Sequence, residues 1–311
     1  MLFVPELPDL IYIEDSLRRI LLDRRIEAVR VYEPVVLRTA VSGGFAEALR
    51  GRKFVQLRRH GPFLDFSVPP YELIVHFMLA GRFAVREPPI GARRRGKGHC
   101  FSLDLEGPLE LAYLDDRRMG RVYLVDEGCT AGIPGFATQG VDVLSEAFSL
   151  QRFRELVSGR RQQVRVFLMD QTALSAIGNA YADEILFAAR IHPKTGCHHL
   201  GPEELDRLHR SIGHVLREAT ASVRSAGRPV EEKVREHCKV RGRHGEPCPV
   251  CGTTIRRTGV LGYDSYFCPR CQRSVKPGFV PWEVVPREGE AERGPAEPGV
   301  SEDDRSMGRD V

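Results

Sequence analysis

The chain has 311 residues, of which 42% are hydrophobic and 28% are charged, a composition typical of a globular protein of two or three domains. No apolar run approaches the roughly 18 residues that a membrane-spanning helix needs, and the opening "MLFV" lacks the length and basic flank of a signal peptide. We therefore expect a cytoplasmic protein with no membrane partner.

The net charge of +4 is unevenly distributed along the chain. Residues 286–311 contain four arginines and eight acidic residues, so this segment carries −4 and the rest of the chain +8. The segment has almost no apolar side chains to bury, which predicts a disordered acidic tail. A basic body suits a polyanionic partner such as nucleic acid, although many soluble enzymes of similar charge bind none.

The first predicted element is an amphipathic helix that follows the stretch "PELPD". Its sequence, "LIYIEDSLRRILLDRRI", places apolar residues on one helical face, and Asp9 stands where it would cap the N-terminus. Pro5 and Glu6 come directly before the helix. The nitrogen of Pro5 is a basic secondary amine only at a free N-terminus, and within a chain it is an amide that cannot act as a nucleophile.

The pattern changes after this helix. From about residue 26 to residue 144, short alternating apolar segments are separated by Gly and Pro, which predicts an antiparallel β-sandwich or barrel. Four segments of helical periodicity follow between about residues 150 and 226. The predicted fold class is therefore α+β multidomain, with an N-terminal helix and β-sandwich over residues 1–145 and a helical domain over 150–236.

The most specific motif is a set of four cysteines near the C-terminus. Two C-x2-C pairs are separated by sixteen residues, and each pair places two thiolates on one tight turn, with room for a β-hairpin between them. This spacing predicts one structural Zn²⁺ in a finger over residues 237–280. Four thiolates leave no coordination position for a catalytic water. The predicted zinc ligands are Cys248, Cys251, Cys268 and Cys271.

Gly178 and Asn179 lie at the turn before the predicted helix "AYADEILFAARI". A turn of this kind exposes unpaired backbone N–H groups at the positive end of the helix dipole, which suits a phosphate. Such turns are also common as plain connections between helices, so this motif depends on its context.

Taken in order, "PELP" with its helix, the β-sandwich, "AIGNAYADEILFAARIHP" and the cysteine finger resemble the formamidopyrimidine-DNA glycosylase and endonuclease VIII family of base-excision repair enzymes. The resemblance covers roughly residues 5–276. It implies a helix–two-turn–helix domain over 150–236. It also implies a monomeric, nucleoid-associated bacterial protein whose partner is double-stranded DNA with a damaged base or abasic site, bound between the first two domains.

In that family the N-terminal proline nitrogen attacks C1′ of the damaged nucleotide and forms an iminium, and the strand is then cut by β- and δ-elimination. Carried over residue by residue, the resemblance makes Pro5 the nucleophile and Glu6 the general acid of a glycosylase and AP lyase. Asn179, with Gly178, would hold the phosphates beside the lesion. The alternative for Glu6 is a purely electrostatic partner of the helix dipole.

The resemblance also implies a wedge of three side chains that fills the gap left by the extruded base. The matching positions are Leu79, Arg117 and Met119, with Arg118 beside them as a further DNA contact. Leu79 and Met119 stand where the family usually has Met and Phe, so an apolar wedge is retained. The alternative is that both are core residues at strand ends.

Two further positions depart from the family pattern. Pro62 replaces an active-site lysine, and Tyr263 replaces a phosphate-binding arginine at the tip of the finger hairpin. Tyrosine can stack on DNA or donate one hydrogen bond, but it supplies no charge. The main alternative function is therefore a non-catalytic binder of damaged or abasic DNA. A zinc-ribbon protein acting on RNA would leave the wedge and the first helix without a role.

The residues before Pro5 bear on this choice. If Met1–Val4 are retained, the Pro5 nitrogen is an amide and the protein lacks lyase chemistry there. Bacterial genes often initiate at GTG, which is read as valine within a frame. A start at Val4 followed by methionine removal would expose Pro5, a hypothesis that N-terminal sequencing of natively expressed protein tests.

Overall fold

The computed structural model describes residues 5–87 and 97–274. The residues before Pro5, the end of the predicted finger segment (275–280) and the predicted acidic tail (286–311) lie outside this part of the chain. The described residues contain six α-helices, eleven β-strands and two short 3-10 helices.

The first helix, α1, is Leu7–Leu21, and its apolar stripe is buried. Glu6 is the N-cap residue, and Pro8 lies in the first turn, where its missing N–H costs nothing. The expectation that Asp9 caps the helix is wrong, because Asp9 is three residues further on and its carboxylate accepts a hydrogen bond from the backbone N–H of Glu6 at 2.9 Å. Asp9 therefore braces the residue that occupies the cap.

Nine strands and one short helix follow α1. The short helix, α2 (Gly44–Leu49), lies between the second and third strands. The strands are β1 (Ile26–Val31), β2 (Leu37–Thr39), β3 (Gln56–His60), β4 (Phe63–Val68), β5 (Tyr71–His76), β6 (Gly81–Arg86), β7 (His99–Leu105), β8 (Leu109–Asp115) and β9 (Arg121–Asp126).

These strands form the predicted sandwich. One sheet has the order β1-β7-β8-β6 and the other the order β2-β9-β5-β4-β3. Of the strand pairs in the described residues, β2 and β9 are parallel and the others antiparallel. The sheets face each other through aromatic side chains, since the ring of Phe66 on β4 lies 5.6 Å from that of Phe83 on β6, edge to face.

The hydroxyl of Tyr113, a buried residue of β8, lies beneath two turns at one end of the sandwich. A Cβ atom at Gly81, at the end of the β5–β6 turn, would come within 3.0 Å of this hydroxyl, and so would one at Gly120, at the end of the β8–β9 turn. Both turns are therefore closely packed over one phenol. Because Leu79 and Met119 lie on these two turns, the structure brings them to the same end of the sandwich.

We expect Gly120→Ala to lower the free energy of unfolding by about 1–3 kcal/mol, because the added methyl group forces the backbone or Tyr113 to move. Urea denaturation followed by circular dichroism measures this change. Gly132→Ala is the matched control, since a Cβ there meets no atom within 4 Å. Adding Tyr113→Phe removes the clashing oxygen and should restore part of the loss. An unchanged deficit in the double variant would contradict the packing argument.

Four helices follow the sandwich where helical periodicity predicted them: α3 (Leu150–Val157), α4 (Val164–Leu168), α5 (Asn179–Ala188) and α6 (Pro202–Ala226). The first helix of the chain contacts this helical region directly. The Tyr12 hydroxyl donates to the Arg228 carbonyl at 2.6 Å, and the Leu7 N–H donates to the Ala176 carbonyl at 2.9 Å. One continuous cluster of buried apolar residues joins α1, the sandwich and the helices.

The finger contains one antiparallel hairpin, β10 (Arg256–Val260) and β11 (Tyr263–Phe267). Leu261 and Gly262 form its tip with φ values of 46° and 79°, the conformation of a two-residue hairpin turn. The finger packs on α5, because Phe187 shares a small buried cluster with Val240 and Ile255. Among the described residues, no helix combines the length and apolar character needed to cross a bilayer.

Candidate functional site

A cavity of about 200 Å³ lies where the start of α1 meets the sandwich and the segment before α5. Pro5 and Glu6 line it from α1, and Gly178 lines it from the helical region. Pro62 and His76 contribute from the sandwich. The structure therefore brings together residues that the sequence places more than a hundred positions apart.

The carboxylate of Glu6 caps α5. Oε2 accepts hydrogen bonds from the N–H groups of Gly178 and Tyr181, both at 3.1 Å, and Oε1 accepts one from Ala180 at 3.0 Å. Glu6 is only 4% exposed. An anionic side chain is stabilised by such charge-assisted bonds and by the helix dipole. Glu6 is thus a dipole partner, as the alternative interpretation had it, and also a wall of the cavity.

The same contacts correct the prediction for the turn before α5. The N–H groups of Gly178, Ala180 and Tyr181 are not unpaired donors for a phosphate, because they bind Glu6. Asn179 keeps a side-chain donor: its Oδ1 accepts from Arg165 Nη2 at 2.9 Å, and no bond within the described chain uses its Nδ2. Any phosphate contact at this turn would therefore come from the Asn179 amide.

The peptide between Pro5 and Glu6 is held from a second side. Asp9, which binds the Glu6 N–H, pairs with Arg235 through Oδ1 and Nη1 at 2.8 Å. The Arg235 guanidinium lies over the ring of Tyr181, 5.0 Å from the ring centre. The segment between α6 and the finger therefore supports the start of α1 by an ion pair and a cation–π contact.

Lys233 belongs to the same segment, and no sequence motif singles it out. Burial lowers the pKa of its ammonium group and nearby Arg235 lowers it further, whereas Glu6 and Asp9 raise it. The side chain is thus an amine in the electrostatic neighbourhood of Glu6, with an easier route to its neutral form than an ordinary lysine.

His76 is a second cavity residue that sequence reasoning missed. Its Nδ1 accepts a hydrogen bond from the Met78 N–H at 3.1 Å. Burial, with a smaller contribution from Arg121, lowers the pKa of His76 to about 4. The imidazole is therefore neutral at pH 7, and Nε2 carries its proton.

This pKa predicts acid sensitivity. The pKa of His76 is lower in the folded protein than in the unfolded chain, so the unfolded state binds more protons between pH 6.5 and 4. The contribution of neutral His76 to the free energy of unfolding is fully present above pH 6.5 and is lost as the pH falls towards 4. We expect His76→Asn to remove up to about 3 kcal/mol of that loss. Urea unfolding at several pH values measures it.

In His76→Asn, the dependence of the free energy of unfolding on pH should be reduced rather than abolished. Burial also lowers the pKa of His192 to about 4, so His192 contributes to the same dependence. A wild-type and a His76→Asn curve of equal slope between pH 7 and 4.5 would contradict the assignment.

The wedge positions lie on the two turns above Tyr113. Met119 is 41% exposed, which excludes the core alternative for this residue, and Leu79 is half-buried. Arg117 is exposed on the same turn as Met119. The buried carboxylate of Asp115 shapes that turn by accepting hydrogen bonds from its backbone, including the Arg117 N–H at 2.9 Å.

Arg118, unlike Arg117 and Met119, forms an ion pair with a side chain of the N-terminal domain. Its Nη2 pairs with Glu33 Oε1 at 2.9 Å, and its φ of 57° is left-handed. The structure therefore ties Arg118 to the sandwich, which gives it a local partner that the sequence interpretation did not include.

The four predicted zinc ligands converge. Their sulfur atoms all lie within 4.8 Å of one another, and the Cys248–Cys271 and Cys251–Cys268 separations are 3.9 and 3.5 Å. Four sulfurs at the usual Zn–S distance of about 2.3 Å stand about 3.8 Å apart in a tetrahedron. Donor type and spacing fit one structural zinc ion, as predicted.

The finger hairpin presents two large side chains at its tip. Tyr263 is 55% exposed, and Leu261, which sequence reasoning missed, is 74% exposed. An exposed apolar residue beside a tight glycine turn is the signal that could have identified Leu261.

Fold and site together define a zinc-finger protein of the helix–two-turn–helix class, in which the first residues of α1 cap the helix after the turn. Three family models match the chain. They describe the formamidopyrimidine-DNA glycosylase N-terminal domain over residues 4–122, the formamidopyrimidine-DNA glycosylase H2TH domain over 139–228, and a zinc finger found in FPG and IleRS over 245–273.

Relatives and solved structures agree with these models. The chain is 36% identical to a formamidopyrimidine-DNA glycosylase of Symbiobacterium thermophilum, covering 86% of this chain and 89% of the relative, and 34% identical to one of Chloroflexus aurantiacus, covering 88% and 99%. The MutM (Fpg) protein of Thermus thermophilus superposes with a TM-score of 0.73 at 32% identity, over 86% of this chain and 98% of that one. The chain belongs to the formamidopyrimidine-DNA glycosylase family.

A further similar structure is the Lactococcus lactis Fpg in complex with DNA containing an abasic site. It superposes with a TM-score of 0.77 at 26% identity and covers 86% of this chain and all of its own, 100%.

Proposed function

We propose that this chain is a DNA repair glycosylase that acts on double-stranded DNA containing a damaged base and also cleaves the strand at the resulting abasic site. The observation that carries this proposal is the cavity shared by Pro5, Glu6 and Gly178, directly beside Asn179. Membership of a family of DNA glycosylases supports the first activity, and the abasic-site complex of the Lactococcus lactis protein supports the DNA partner.

In the proposed reaction, Pro5 acts as a free secondary amine. Its nitrogen forms a bond to C1′ of the damaged nucleotide, and the base leaves with the electron pair of its bond to C1′ and takes a proton from water. The amine then loses its proton and the ring oxygen leaves C1′ as a protonated hydroxyl, which gives the iminium. An α-amine has an ordinary pKa near 7.7–8.0, so a useful fraction is neutral at physiological pH.

Glu6 is the proposed general acid at the ring oxygen: its carboxylate takes up the proton that the Pro5 amine loses and delivers it to the departing ring oxygen. It lines the same cavity as Pro5, and its three hydrogen bonds from α5 fix the carboxylate in place. The iminium makes the C2′ hydrogens acidic, so loss of one expels the 3′ phosphate, and a second elimination expels the 5′ phosphate. No step of this scheme uses the zinc ion, whose role is to hold the finger.

The remaining sites grip and deform the DNA in this proposal. The Asn179 amide would donate to a phosphate beside the lesion, and Arg117 and Met119 would enter the space left by the extruded nucleotide. Leu79 would fill the same gap from the neighbouring turn. At the finger tip, Tyr263 would offer a stacking surface in place of the family arginine, and Leu261 would add an apolar contact beside it.

A non-catalytic binder of abasic DNA is the second candidate. Pro62 stands in the cavity where the family has a lysine, so that cation is replaced by a side chain with no charge. A binder would use the same Asn179, wedge and finger but would form no covalent bond to DNA.

Borohydride trapping on an abasic duplex separates the two candidates. A chain that begins at Pro5 should give a covalent adduct, and the full chain from Met1 should give none, because its Pro5 nitrogen is an amide. Mass spectrometry of the digested adduct should place the DNA on the N-terminal peptide. Tight abasic-site binding by both chains without any adduct would support the binder, and an adduct on Lys233 would contradict the role of Pro5.

A further inference from the structure

We propose that Arg165 is a positioning residue that sets the direction of the Asn179 amide and links it to the finger hairpin. The inference rests on the proposed function, since its DNA readout assumes that Asn179 grips a phosphate. The contacts themselves belong to the described chain.

Arg165 lies on α4 and is 1% exposed. Its Nε donates to Asp183 Oδ1 at 2.9 Å. Its Nη2 donates to Asn179 Oδ1 at 2.9 Å and to the backbone carbonyl of Asp264 at 3.0 Å. One rigid guanidinium therefore contacts the start of α5, the middle of α5 and strand β11.

The contact with Asn179 decides which end of the amide faces outward. A primary amide has an acceptor oxygen and a donor nitrogen, and only the donor suits a phosphate. Arg165 is a pure donor, so it holds the oxygen of Asn179 on the protein side. The NH2 group of Asn179 is then left for the DNA.

The same ion pair anchors the finger. Asp183 Oδ1 also accepts from the Ser265 hydroxyl at 2.7 Å, and Asp183 Oδ2 accepts from the Tyr266 N–H at 3.2 Å. Arg241 adds a bond from Nη1 to Asp183 Oδ2 at 2.9 Å. Strand β11, which begins at the exposed Tyr263, is thus held by the carboxylate that pairs with Arg165.

Two arginines therefore face one carboxylate beside Asn179. The pair Arg165–Asp183 is buried, and Arg241 contributes a second positive charge at the edge of the network. An excess of positive charge next to the outward-facing amide attracts a phosphate. The network consequently couples the predicted phosphate contact, Asn179, to the finger hairpin through one buried side chain.

A double-mutant cycle tests this coupling. Binding to a duplex with a tetrahydrofuran abasic-site analogue is measured by fluorescence anisotropy for the wild type, Arg165→Lys, Asn179→Ala and the double variant. Lysine keeps the buried charge but loses the fork geometry. We expect each single change to weaken binding about tenfold, and the double variant to bind within about twofold of Asn179→Ala. Losses that multiply to about a hundredfold would overturn the inference.

A second readout does not depend on DNA. The side-chain NH2 resonance of Asn179, in protein labelled with ¹⁵N-asparagine, should shift and broaden in Arg165→Lys. Arg160→Lys is the matched control, because Arg160 pairs with Asp170 at 2.8 Å and does not contact Asn179. An unchanged Asn179 resonance in Arg165→Lys would overturn the inference.

The two readouts also separate this inference from the proposed function. If the wild-type protein fails to bind the abasic duplex, the proposed function fails, and the NMR comparison still decides whether Arg165 orients Asn179.

Discussion

Glu6→Ala should lower the free energy of unfolding by about 3–5 kcal/mol, because it leaves the N–H groups of Gly178, Ala180 and Tyr181 without their acceptor. Glu6→Gln keeps one acceptor oxygen and should cost about 1–2 kcal/mol. Both variants should reduce the rate of adduct formation by roughly 10²–10⁴, since neither retains a carboxyl group that can carry the proton to the ring oxygen. Chemical denaturation and single-turnover trapping by the Pro5-initiated chain measure the two effects.

Glutamine is the informative substitution because it separates the two roles. Glu14→Gln, on the same helix, is the matched control: Glu14 pairs with Arg18 one turn away, and such a pair contributes about 0.5 kcal/mol or less. If Glu6→Gln traps DNA at the wild-type rate, the carboxylate caps α5 without serving as the general acid.

Removal of zinc should have a comparably large effect. Structural zinc supplies about 10–16 kcal/mol in isolated finger peptides, and the apolar cluster under this finger contains few residues. We expect chelation or Cys248→Ser to unfold the β10–β11 hairpin and to weaken binding to an abasic duplex at least about 100-fold, since the proposed base-stacking surface at the finger tip and the hairpin's bonds to the Arg165–Asp183 pair would both be lost. Zinc content by atomic absorption and binding by anisotropy provide the measurement.

Cys129→Ser is the matched control for that experiment, because Cys129 is exposed and lies outside the four-cysteine cluster. It should retain one zinc per chain and wild-type affinity. A chelated protein that has lost its zinc but still binds DNA with wild-type affinity would show that the finger makes no necessary contribution.

Local patterns in the sequence predicted much of the fold. Apolar spacing at three and four residues identified α1 and α6, because one face of each helix is buried against the rest of the molecule. The cysteine spacing predicted the metal site, since each C-x2-C pair closes its own turn. The family resemblance correctly indicated the order of the three regions, as the matching family models confirm.

The use of Glu6 could not be predicted in the same way. Glu6 and Asp9 both carry carboxylates near the start of α1, and local propensity does not decide which one reaches α5. The partners of Glu6 are 172 to 175 residues away along the chain. Only the folded structure shows that Glu6 accepts the hydrogen bonds of the α5 N–H groups. The turn before α5 had predicted a phosphate as their acceptor.

Arg165 and Lys233 escaped the sequence interpretation for a related reason. A single basic residue carries no periodic signal, and its role depends on which distant groups surround it. Arg165 is 1% exposed and bridges helix and hairpin, whereas arginine side chains are mostly solvated in folded proteins. The exposure of Met119 likewise depends on how its turn packs over Tyr113. The alternation of apolar and polar residues along β8 does not predict that packing.

The long-range capping of α5 by Glu6 has a consequence for synthesis on the ribosome. Helix α1 has 15 residues, a length at which an isolated helix is marginal in water. Its acceptor site at Ala176 and its donors up to Tyr181 emerge only after some 170 further residues, roughly 10–30 s later at bacterial translation rates. Helix α1 can therefore pack on the sandwich early in synthesis, whereas its contacts with the helical region form only after that interval.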